Sequence, residues 1–427
     1  MNIICTAAVG SEAAASTTRF MLYGLPHSEI IGTAGNGIVE AVRRRGMVPA
    51  PRAWDFLSFA LAVVAADVNC PRDRSSDGWT REIELDVAVV DPDYWRPRAE
   101  GLQFTLSFLT GDLWRVRFSG GGLPPPVPRR SQLYPQDGVC LLSGGMDSLI
   151  GALDLASEGH DLILVSQVSP GDKTHQHQFA GMIPGRTTHL QLNHNVRPPT
   201  SPKRVCERSQ RARSVIFLAY GVLAATAMSR YRDGEAVELF VPENGFISLN
   251  IPLTPLRIGS LSMRTTHPVF MAAMQRILTV AYLRVRVVTP YQFKTKGEML
   301  AECRNQSIIR NHAFATTSCG RYARTGFTHC GRCMPCLVRR AAIHHWGVTD
   351  GTRYRYGRLF QDDWEHRHFD DVRSVAMAIE EVSLHGFDHW AGASLNSVQL
   401  GDVAPYRAVA ERGLEELRVF LTAEGVL

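Results

Sequence analysis

From residue 138 onward the chain alternates short apolar strands with helical segments, and this alternation constrains the fold more than any other feature of the sequence. Apolar strands are predicted at 138–142, 161–168 and 189–196, with helical patterns between them. Parallel neighbours need a long crossover between strands, usually a helix. We therefore predict an α/β fold with a doubly wound parallel sheet. The further predicted elements are strands at 237–244 and 284–290 and helices at about 147–157, 207–231 and 267–283.

The residues before this core show a different pattern, which we interpret as an α+β domain of unknown role. A helix is predicted at 53–66. Strands are predicted at 81–90, 102–109 and 113–119, because apolar and polar residues alternate there. A Thr-Gly-Asp turn between the last two strands predicts a β-hairpin. The region is therefore expected to be partly β.

The proline-rich stretch 123–130 (LPPPVPRR) is the predicted linker, because consecutive prolines cannot continue a helix or a central strand. It ends the N-terminal domain, residues 1–130, and precedes a core predicted at 131–350. From 351 to 427 the sequence is acidic and mostly helical in pattern, which predicts a helical C-terminal extension. The sequence therefore predicts three domains, and the middle one carries the motifs that indicate chemistry.

Lysine is rare among the charged residues of this chain. Lys+Arg is 46 and Asp+Glu is 41, so the net charge of +5 gives no evidence for a nucleic-acid partner. The chain has only four lysines, Lys173, Lys203, Lys294 and Lys296. The last two lie in YQFKTKGEML just past a predicted strand, where ligands of open α/β sheets bind. We treat Lys294 and Lys296 as candidate catalytic residues, with solvated loop lysines as the alternative.

The apolar segments and the clustered cysteines of the chain predict a cytoplasmic protein. The N-terminal stretch 1–16 has no basic region before its apolar residues, so a secretory signal is not expected. The longest uncharged apolar run, 214–229, is shorter than the ~20 residues of a membrane span and predicts a buried helix. In a reducing compartment, clustered cysteines serve metal binding or catalysis more often than disulfides. No membrane partner is expected.

Four of the nine cysteines have metal-ligand spacing, Cys319-x10-Cys330-x2-Cys333-x2-Cys336. Four thiolates complete a tetrahedral Zn²⁺ site with no open position, which predicts a structural zinc. An iron–sulfur cluster is the alternative, because C-x2-C-x2-C also begins the bacterial ferredoxin run. That run continues C-x3-C-P, whereas this chain continues Leu-Val-Arg-Arg. The other cysteines are predicted to be small buried hydrophobic residues: Cys5, Cys70, Cys140, Cys206 and Cys303.

The segment LLSGGMDS, 141–148, predicts an anion-binding loop between the first core strand and its helix. Ser143, Gly144 and Gly145 permit a tight turn with outward N–H groups at a helix N-terminus. Asp147 would repel a phosphate unless it holds a Mg²⁺ that the phosphates also bind. An ordinary strand-to-helix turn is the alternative. The candidate nucleotide-binding residues of the loop are Leu142, Ser143, Gly144, Gly145, Met146, Asp147 and Ser148.

Three further residues are candidates on weaker grounds. Arg213 opens the long predicted helix and could bind a phosphate through two parallel hydrogen bonds, with surface charge as the alternative. Glu243 and Asn244 follow a predicted strand in VPENGF and could bind a base-like substrate. A simple Asn-Gly turn is the competing interpretation of that segment.

The loop SGGxDS at this position resembles the pyrophosphate loop of the PP-loop ATP pyrophosphatase superfamily. Within that superfamily, residues 138–347 resemble the 7-cyano-7-deazaguanine synthases. Besides SGGMDS, the resemblance rests on RSVIFLAYGVLAA, KTKGEML, TTSC and CGRCMPCLVRRAA. It implies an adenine nucleotide alpha hydrolase-like fold, ATP with Mg²⁺, and a deazaguanine carboxylic acid as substrate. Members adenylate 7-carboxy-7-deazaguanine, admit ammonia to give the amide, and convert the amide to the nitrile.

The chain also departs from that family. The spacer after Cys319 is longer than expected, and VPENGFISLNIPLTP at 241–255 replaces the usual substrate loop. About 130 N-terminal and 75 C-terminal residues have no counterpart in the biosynthetic enzyme. Such enlarged relatives resemble components of Qat-type anti-phage operons, which implies operon partner proteins and an activated deazaguanine acid used in defence.

Two alternatives stay open. A tRNA-thiolating PP-loop enzyme would adenylate a base carbonyl and would need a sulfur-carrying cysteine outside the metal set, for which Cys206 and Cys303 are the candidates. A non-catalytic partner subunit would bind the nucleotide without releasing AMP or pyrophosphate.

Overall fold

The computed structural model places the described strands in two five-stranded parallel sheets. Lys203 and residues 7–16, on which part of the secretion argument rests, lie outside the described residues. The described residues are 1–6, 17–25, 28–168, 171, 173–201, 205–207, 209–254, 264–360, 365–366 and 370–427.

The first sheet is formed by residues of the N-terminal region, in the order β3-β2-β1-β4-β5. Its faces carry helices α1 to α4, so this region has an α/β architecture of its own. The strands are β1 (Asn2–Thr6), β2 (Thr17–Leu22), β3 (Ile31–Ala34), β4 (Glu82–Ala88) and β5 (Leu113–Ser119). The helices are α1 (Ile38–Arg44), α2 (Pro51–Asn69), α3 (Pro92–Trp95) and α4 (Ala99–Thr110).

The predicted strand at 102–109 is wrong, because these residues form most of helix α4. Leu102, Leu106 and Leu109 are buried, and their spacing by four and three residues defines one face of a helix. Gly111 ends the helix in the left-handed conformation, with φ of 73°. The predicted hairpin is also wrong, since β4 and β5 pair in parallel through the crossover that contains α4.

The second sheet is the predicted doubly wound core, in the order β10-β9-β6-β7-β8. The central β6 leads into the SGGMDS loop, and β9 and β10 lie beside it on one side. Its strands are β6 (Gly138–Leu141), β7 (Leu162–Gln167), β8 (Thr188–Leu192), β9 (Val237–Phe240) and β10 (Val285–Val288). Its helices are α5 (Met146–Ser157), α6 (Lys173–Met182), α7 (Arg213–Thr226), α8 (Ser229–Arg232), α9 (Gly245–Leu249), α10 (Pro268–Val280), α11 (Lys296–Glu302), α12 (Gln306–His312) and α13 (Met334–His345).

Helices α2 and α7 pack against each other between the two sheets. Residues 53–69 of α2 are all buried, as a helix apolar on every side requires. Helix α7 contains most of the apolar run 214–229 and is the predicted buried helix. The hydrophobic core therefore continues from the first sheet to the second, across the proposed domain boundary near residue 130. Among the described residues, the helices are too short or too polar to cross a bilayer.

The C-terminal region is helical, as predicted, and its last helix reaches the core. It comprises α14 (Val372–His385), α15 (Phe387–Leu395) and α16 (Ala404–Ala423). Helix α16 packs on α13 and on the short helix α9, with Leu417 and Leu421 fully buried. This contact brings the end of the chain next to the segments that follow β9 and β10.

A buried ionic network joins the N-terminal sheet to the segment before α7. Asp112 accepts two hydrogen bonds from the Arg72 guanidinium (2.7 and 2.9 Å), one from the Arg81 guanidinium (2.6 Å) and one from the Arg81 backbone N–H (3.1 Å). Arg81 also donates to Asp67 (2.6 Å), and Asp67 accepts from the Ala212 N–H (3.0 Å). Burial disfavours ionised Asp112, but the two arginines outweigh it and hold the pKa of Asp112 below its usual range.

We expect Asp112→Ala to lower the free energy of unfolding by about 3–5 kcal/mol, because two buried guanidinium groups would lose their shared carboxylate. Urea unfolding followed by circular dichroism measures this change. Asp93→Ala is the control, since Asp93 pairs with Arg96 at the surface and its loss should cost less than about 1 kcal/mol. Equal losses in the two variants would contradict the prediction.

Candidate functional site

The SGGMDS loop forms a tight turn between β6 and α5. Ser143 Oγ accepts from the Gly145 N–H (3.2 Å) and lies 3.0 Å from Ser148 Oγ. Gly144 has φ of 90°, a left-handed conformation that favours glycine. Gly145 precedes the first residue of α5, and a Cβ there would lie 3.3 Å from the Thr317 carbonyl oxygen. The first N–H groups of α5 have no partner within the helix, so the loop can bind an anion.

Two residues that the sequence analysis did not single out hold this loop in place. Gln176 on α6 donates through Nε2 to the Ser143 carbonyl (3.1 Å) and to the Gln167 carbonyl at the end of β7 (3.0 Å). Thr317 donates its N–H to the Gly144 carbonyl (3.0 Å). Thr317 could have been identified from the sequence because it lies in the TTSC motif, whereas no sequence pattern marks Gln176.

Asp147 lies at the centre of a buried polar cluster beside the loop. Lys296, the first residue of α11, forms an ion pair with Asp147 Oδ1. Asn244 donates to Asp147 Oδ2 through its backbone N–H (3.1 Å) and through Nδ2 (2.7 Å). The sheet order explains why these three residues lie together. Asp147, Asn244 and Lys296 follow β6, β9 and β10, and these strands are neighbours whose carboxyl ends lie at one edge of the sheet.

The two carboxyl groups of the cluster have opposite pKa shifts. Burial raises the pKa of Asp147, but the Lys296 charge and hydrogen bonds outweigh it, so the pKa lies well below its usual range. Burial and the adjacent Asp147 charge raise the pKa of Glu243 well above its usual range. The surroundings therefore favour the ionised form of Asp147 and the protonated form of Glu243.

The structure separates the two candidate lysines. Lys294 Nζ lies 2.5 Å from Glu302 Oε2, and its side chain is 40% exposed, whereas that of Lys296 is 7% exposed. Lys294 lines a surface cavity of about 390 Å³ together with Tyr291 and Arg304. Only Lys296 is therefore brought to Asp147.

Asn244, interpreted from the sequence as a substrate-binding residue, uses its side chain in this structure for hydrogen bonds within the cluster. It is fully buried, and its two amide hydrogens are directed to Asp147 and to Glu243 (3.2 Å). Its Oδ1 accepts from the Ile247 N–H (2.9 Å) and caps α9. Asn244 therefore orients Asp147, while the half-buried Glu243 remains the candidate for substrate contact.

The two arginines near the start of α7 have different surroundings. Arg213 is the first residue of α7, at the carboxyl edge of the second sheet. Burial and the Arg213 charge lower the pKa of His194, which follows β8, to about 4. Arg211 instead stacks over Trp79 and donates to the Thr110 carbonyl (3.1 Å), next to the buried ionic network. Arg213 therefore remains a candidate for phosphate binding.

The four predicted metal-ligand cysteines form a buried cluster with their Sγ atoms within 4.8 Å of one another. The Cys319–Cys333 and Cys330–Cys336 sulfur pairs are 3.9 and 3.8 Å apart. Tetrahedral zinc with Zn–S bonds of 2.3 Å requires a spacing of about 3.8 Å, so the site fits one metal ion such as zinc. Of the other cysteines, Cys206 is exposed, contrary to prediction, and the remaining four are buried as predicted: Cys5, Cys70, Cys140 and Cys303.

The cysteine cluster is connected to the phosphate loop by a short buried segment. Arg339 on α13 donates to the Thr316 carbonyl (3.2 Å) and to Ser318 Oγ (3.2 Å), on either side of Thr317. Arg339 itself is fully buried. A metal that fixes Cys319 therefore also fixes Thr317, whose N–H binds the loop.

Comparison with known proteins agrees with part of this site. Residues 265–347 match the family described as "Queuosine biosynthesis protein QueC". The 7-cyano-7-deazaguanine synthase of Paracoccus denitrificans is 35% identical over 92 residues, which are 21% of this chain and 36% of the relative. That of Brucella ovis is 36% identical over 81 residues, 19% and 32% of the two chains. No solved structure matches this chain.

The chain therefore spans about a third of the length of the curated relatives it matches. The family match contains Lys296 and all four cysteines, whereas the loop at 143–148 and the residues Glu243 and Asn244 lie outside it. The part of the chain that supplies the buried lysine and the candidate metal ligands is thus similar to the QueC family.

Proposed function

We propose that this protein activates 7-carboxy-7-deazaguanine, or a related deazaguanine acid, by adenylation with ATP, releasing pyrophosphate and then AMP. The observation that carries the proposal is the buried ion pair between Asp147 of the SGGMDS loop and Lys296 of the QueC-like segment. The pair joins a predicted phosphate loop to residues that are similar to a deazaguanine synthase.

The loop supplies the groups that bind the ATP phosphates in this proposal. The N–H groups at the start of α5 point toward the anion, and the helix adds partial positive charge. Lys296 provides a compact cation that stabilises charge developing on the pyrophosphate as it leaves. Arg213, the first residue of α7, is the candidate for a further phosphate contact.

Asp147 and Glu243 fit the magnesium ion that accompanies ATP, because Mg²⁺ commonly takes one or two carboxylates together with substrate phosphates. The ion would neutralise phosphate charge when bound. Lys296 and Asn244 orient the Asp147 carboxylate, and Oδ1, which accepts from Lys296, retains capacity for another contact, whereas Oδ2 already accepts two hydrogen bonds from Asn244.

The proposed chemistry runs in balanced steps. A carboxylate oxygen of the substrate attacks the α-phosphorus of ATP, and the bond to the β-phosphate breaks to release pyrophosphate. Ammonia then attacks the acyl carbon, loses a proton, and displaces AMP to give the amide. In the synthases that this chain resembles, a second ATP activates the amide oxygen and loss of AMP and protons yields the nitrile. An amine of a partner protein could replace ammonia in the first displacement.

We place this activity in anti-phage defence rather than in queuosine supply. The support is the size of the chain, because residues 1–130 and 351–427 lie outside the QueC match and enlarge the protein beyond it. Of the two candidate cysteines for the thiolation alternative, Cys303 is disfavoured because burial raises its pKa to about 12, which leaves the exposed Cys206 as the candidate.

We expect substrate-dependent AMP release when the protein is incubated with Mg²⁺, ATP and 7-carboxy-7-deazaguanine, with and without ammonia. Chromatography measures AMP, and mass spectrometry identifies the product. An amide or nitrile indicates small-molecule synthesis, and a mass shift on an added operon protein indicates protein modification. Absence of AMP under every condition would reject the deazaguanine proposal, and AMP release with tRNA alone would favour the thiolation reaction.

A further inference from the structure

The C-terminal helix α16 contacts the segment that carries Lys296. Glu416, buried on α16, accepts a hydrogen bond from Thr295 Oγ1, and its carboxylate packs directly against the Gly297 backbone. Thr295 caps α11 and Gly297 is its second residue, so these two contacts flank Lys296. The Glu416 carboxylate therefore contacts the residue on each side of the lysine that pairs with Asp147.

This contact requires glycine at position 297. A Cβ on Gly297 would lie 2.4 Å from Glu416 Oε1 and 2.7 Å from Cδ. Its φ lies outside the left-handed region, so the backbone conformation does not itself demand glycine. Gly297 therefore serves the close approach of Glu416.

A second residue of α16 anchors the same segment. Arg412 donates through Nε to Glu298 Oε1 (2.5 Å) and through Nη2 to the Phe293 carbonyl (2.7 Å). Glu298 in turn completes the capping box with Thr295. Arg412 and Glu416 are one helical turn apart on α16. Together they hold the segment from residue 293 to residue 298.

We propose that Glu416 is a positioning residue that holds Lys296 against Asp147. Its effect on the reaction rests on the proposed function, whereas its effect on the position of Lys296 does not. A leucine or methionine would fill the site at similar stability, because buried carboxylates contribute little net free energy of folding. The carboxylate instead accepts from the Thr295 hydroxyl and packs against Gly297, and it thereby fixes the direction in which α11 starts.

The test is competitive acetylation of lysines, read by mass spectrometry. Lys294, two residues from Lys296 and exposed, is the internal reference. In the wild type Lys296 should be acetylated much more slowly than Lys294. In Glu416→Gln and in Gly297→Ala the ratio of Lys296 to Lys294 labelling should rise about tenfold, the scale of losing one charge-assisted hydrogen bond.

Glu415→Gln is the matched control, because Glu415 is the neighbouring carboxylate on α16 and pairs with Arg418 at the surface. Its labelling ratio should equal that of the wild type. If Glu416→Gln does not fold, as judged by circular dichroism, Gly297→Ala decides, since the added methyl group displaces only the end of a flexible side chain. An unchanged ratio in the folded variants overturns the proposal.

The AMP assay separates this proposal from the proposed function. If both hold, Glu416→Gln should lower kcat for AMP release with a smaller change in the KM for ATP, because Lys296 acts on the departing pyrophosphate. A raised labelling ratio in the variants, together with a wild type that releases no AMP, supports the positioning role and rejects only the proposed reaction.

Discussion

Replacing Asp147 with asparagine should lower substrate-dependent AMP formation by about 10²–10³-fold or more. The asparagine has nearly the same shape but no charge, so it cannot hold a divalent ion beside the phosphates. It also leaves the buried Lys296 ammonium without its ion-pair partner. The assay is the initial rate of AMP release with 7-carboxy-7-deazaguanine and saturating Mg²⁺ and ATP.

Stability must be measured on the same variant, because breaking a buried ion pair costs about 3–5 kcal/mol. Asp154→Asn is the matched control. Asp154 lies two turns further along α5 and accepts hydrogen bonds from the Tyr291 hydroxyl (2.6 Å) and the Arg304 N–H (2.8 Å). It should retain AMP release, since it lies outside the Asp147 cluster. Full activity in a folded Asp147→Asn variant would reject the role of this carboxylate.

Removing the metal should unfold the cysteine segment and abolish nucleotide binding. We expect one zinc per chain by elemental analysis of the purified protein. Structural zinc sites contribute about 10–16 kcal/mol of binding free energy, so Cys336→Ser or prolonged chelation should melt residues 316–336. The loop would then lose the hydrogen bond from the Thr317 N–H to the Gly144 carbonyl. Hydrogen exchange and ATP titration measure the two effects.

Cys206→Ser is the control for loss of a thiol, because Cys206 is exposed and distant in sequence from the cluster. It should keep its zinc and its ATP affinity. Iron in the purified protein, together with broad visible absorption, would indicate an iron–sulfur cluster instead of zinc. If the chelator-treated chain still binds ATP, the metal does not support the loop.

The features that sequence reasoning predicted correctly depend on short spacings. The cysteine cluster follows from CxxC geometry, and the turn before α5 follows from Ser143 and two glycines, because these determine backbone conformation within a few residues. The core strands at β6, β7 and β9 follow from buried apolar runs. The strand predicted at 102–109 failed because its apolar residues satisfy both periods, and packing against β5 and α10 selected the helix.

The sequence by itself determined the local features of this protein: a glycine turn between a strand and a helix, four clustered cysteines and two lysines after a strand. Only the tertiary structure decided which lysine reaches Asp147, which amide is used to orient it, and which carboxylate binds beside Lys296. Asp147 and Lys296 are 149 residues apart, and Thr295 and Glu416 are 121 apart. Such pairs form because the sheet order and the packing of α16 bring their elements together, and no local spacing encodes that order.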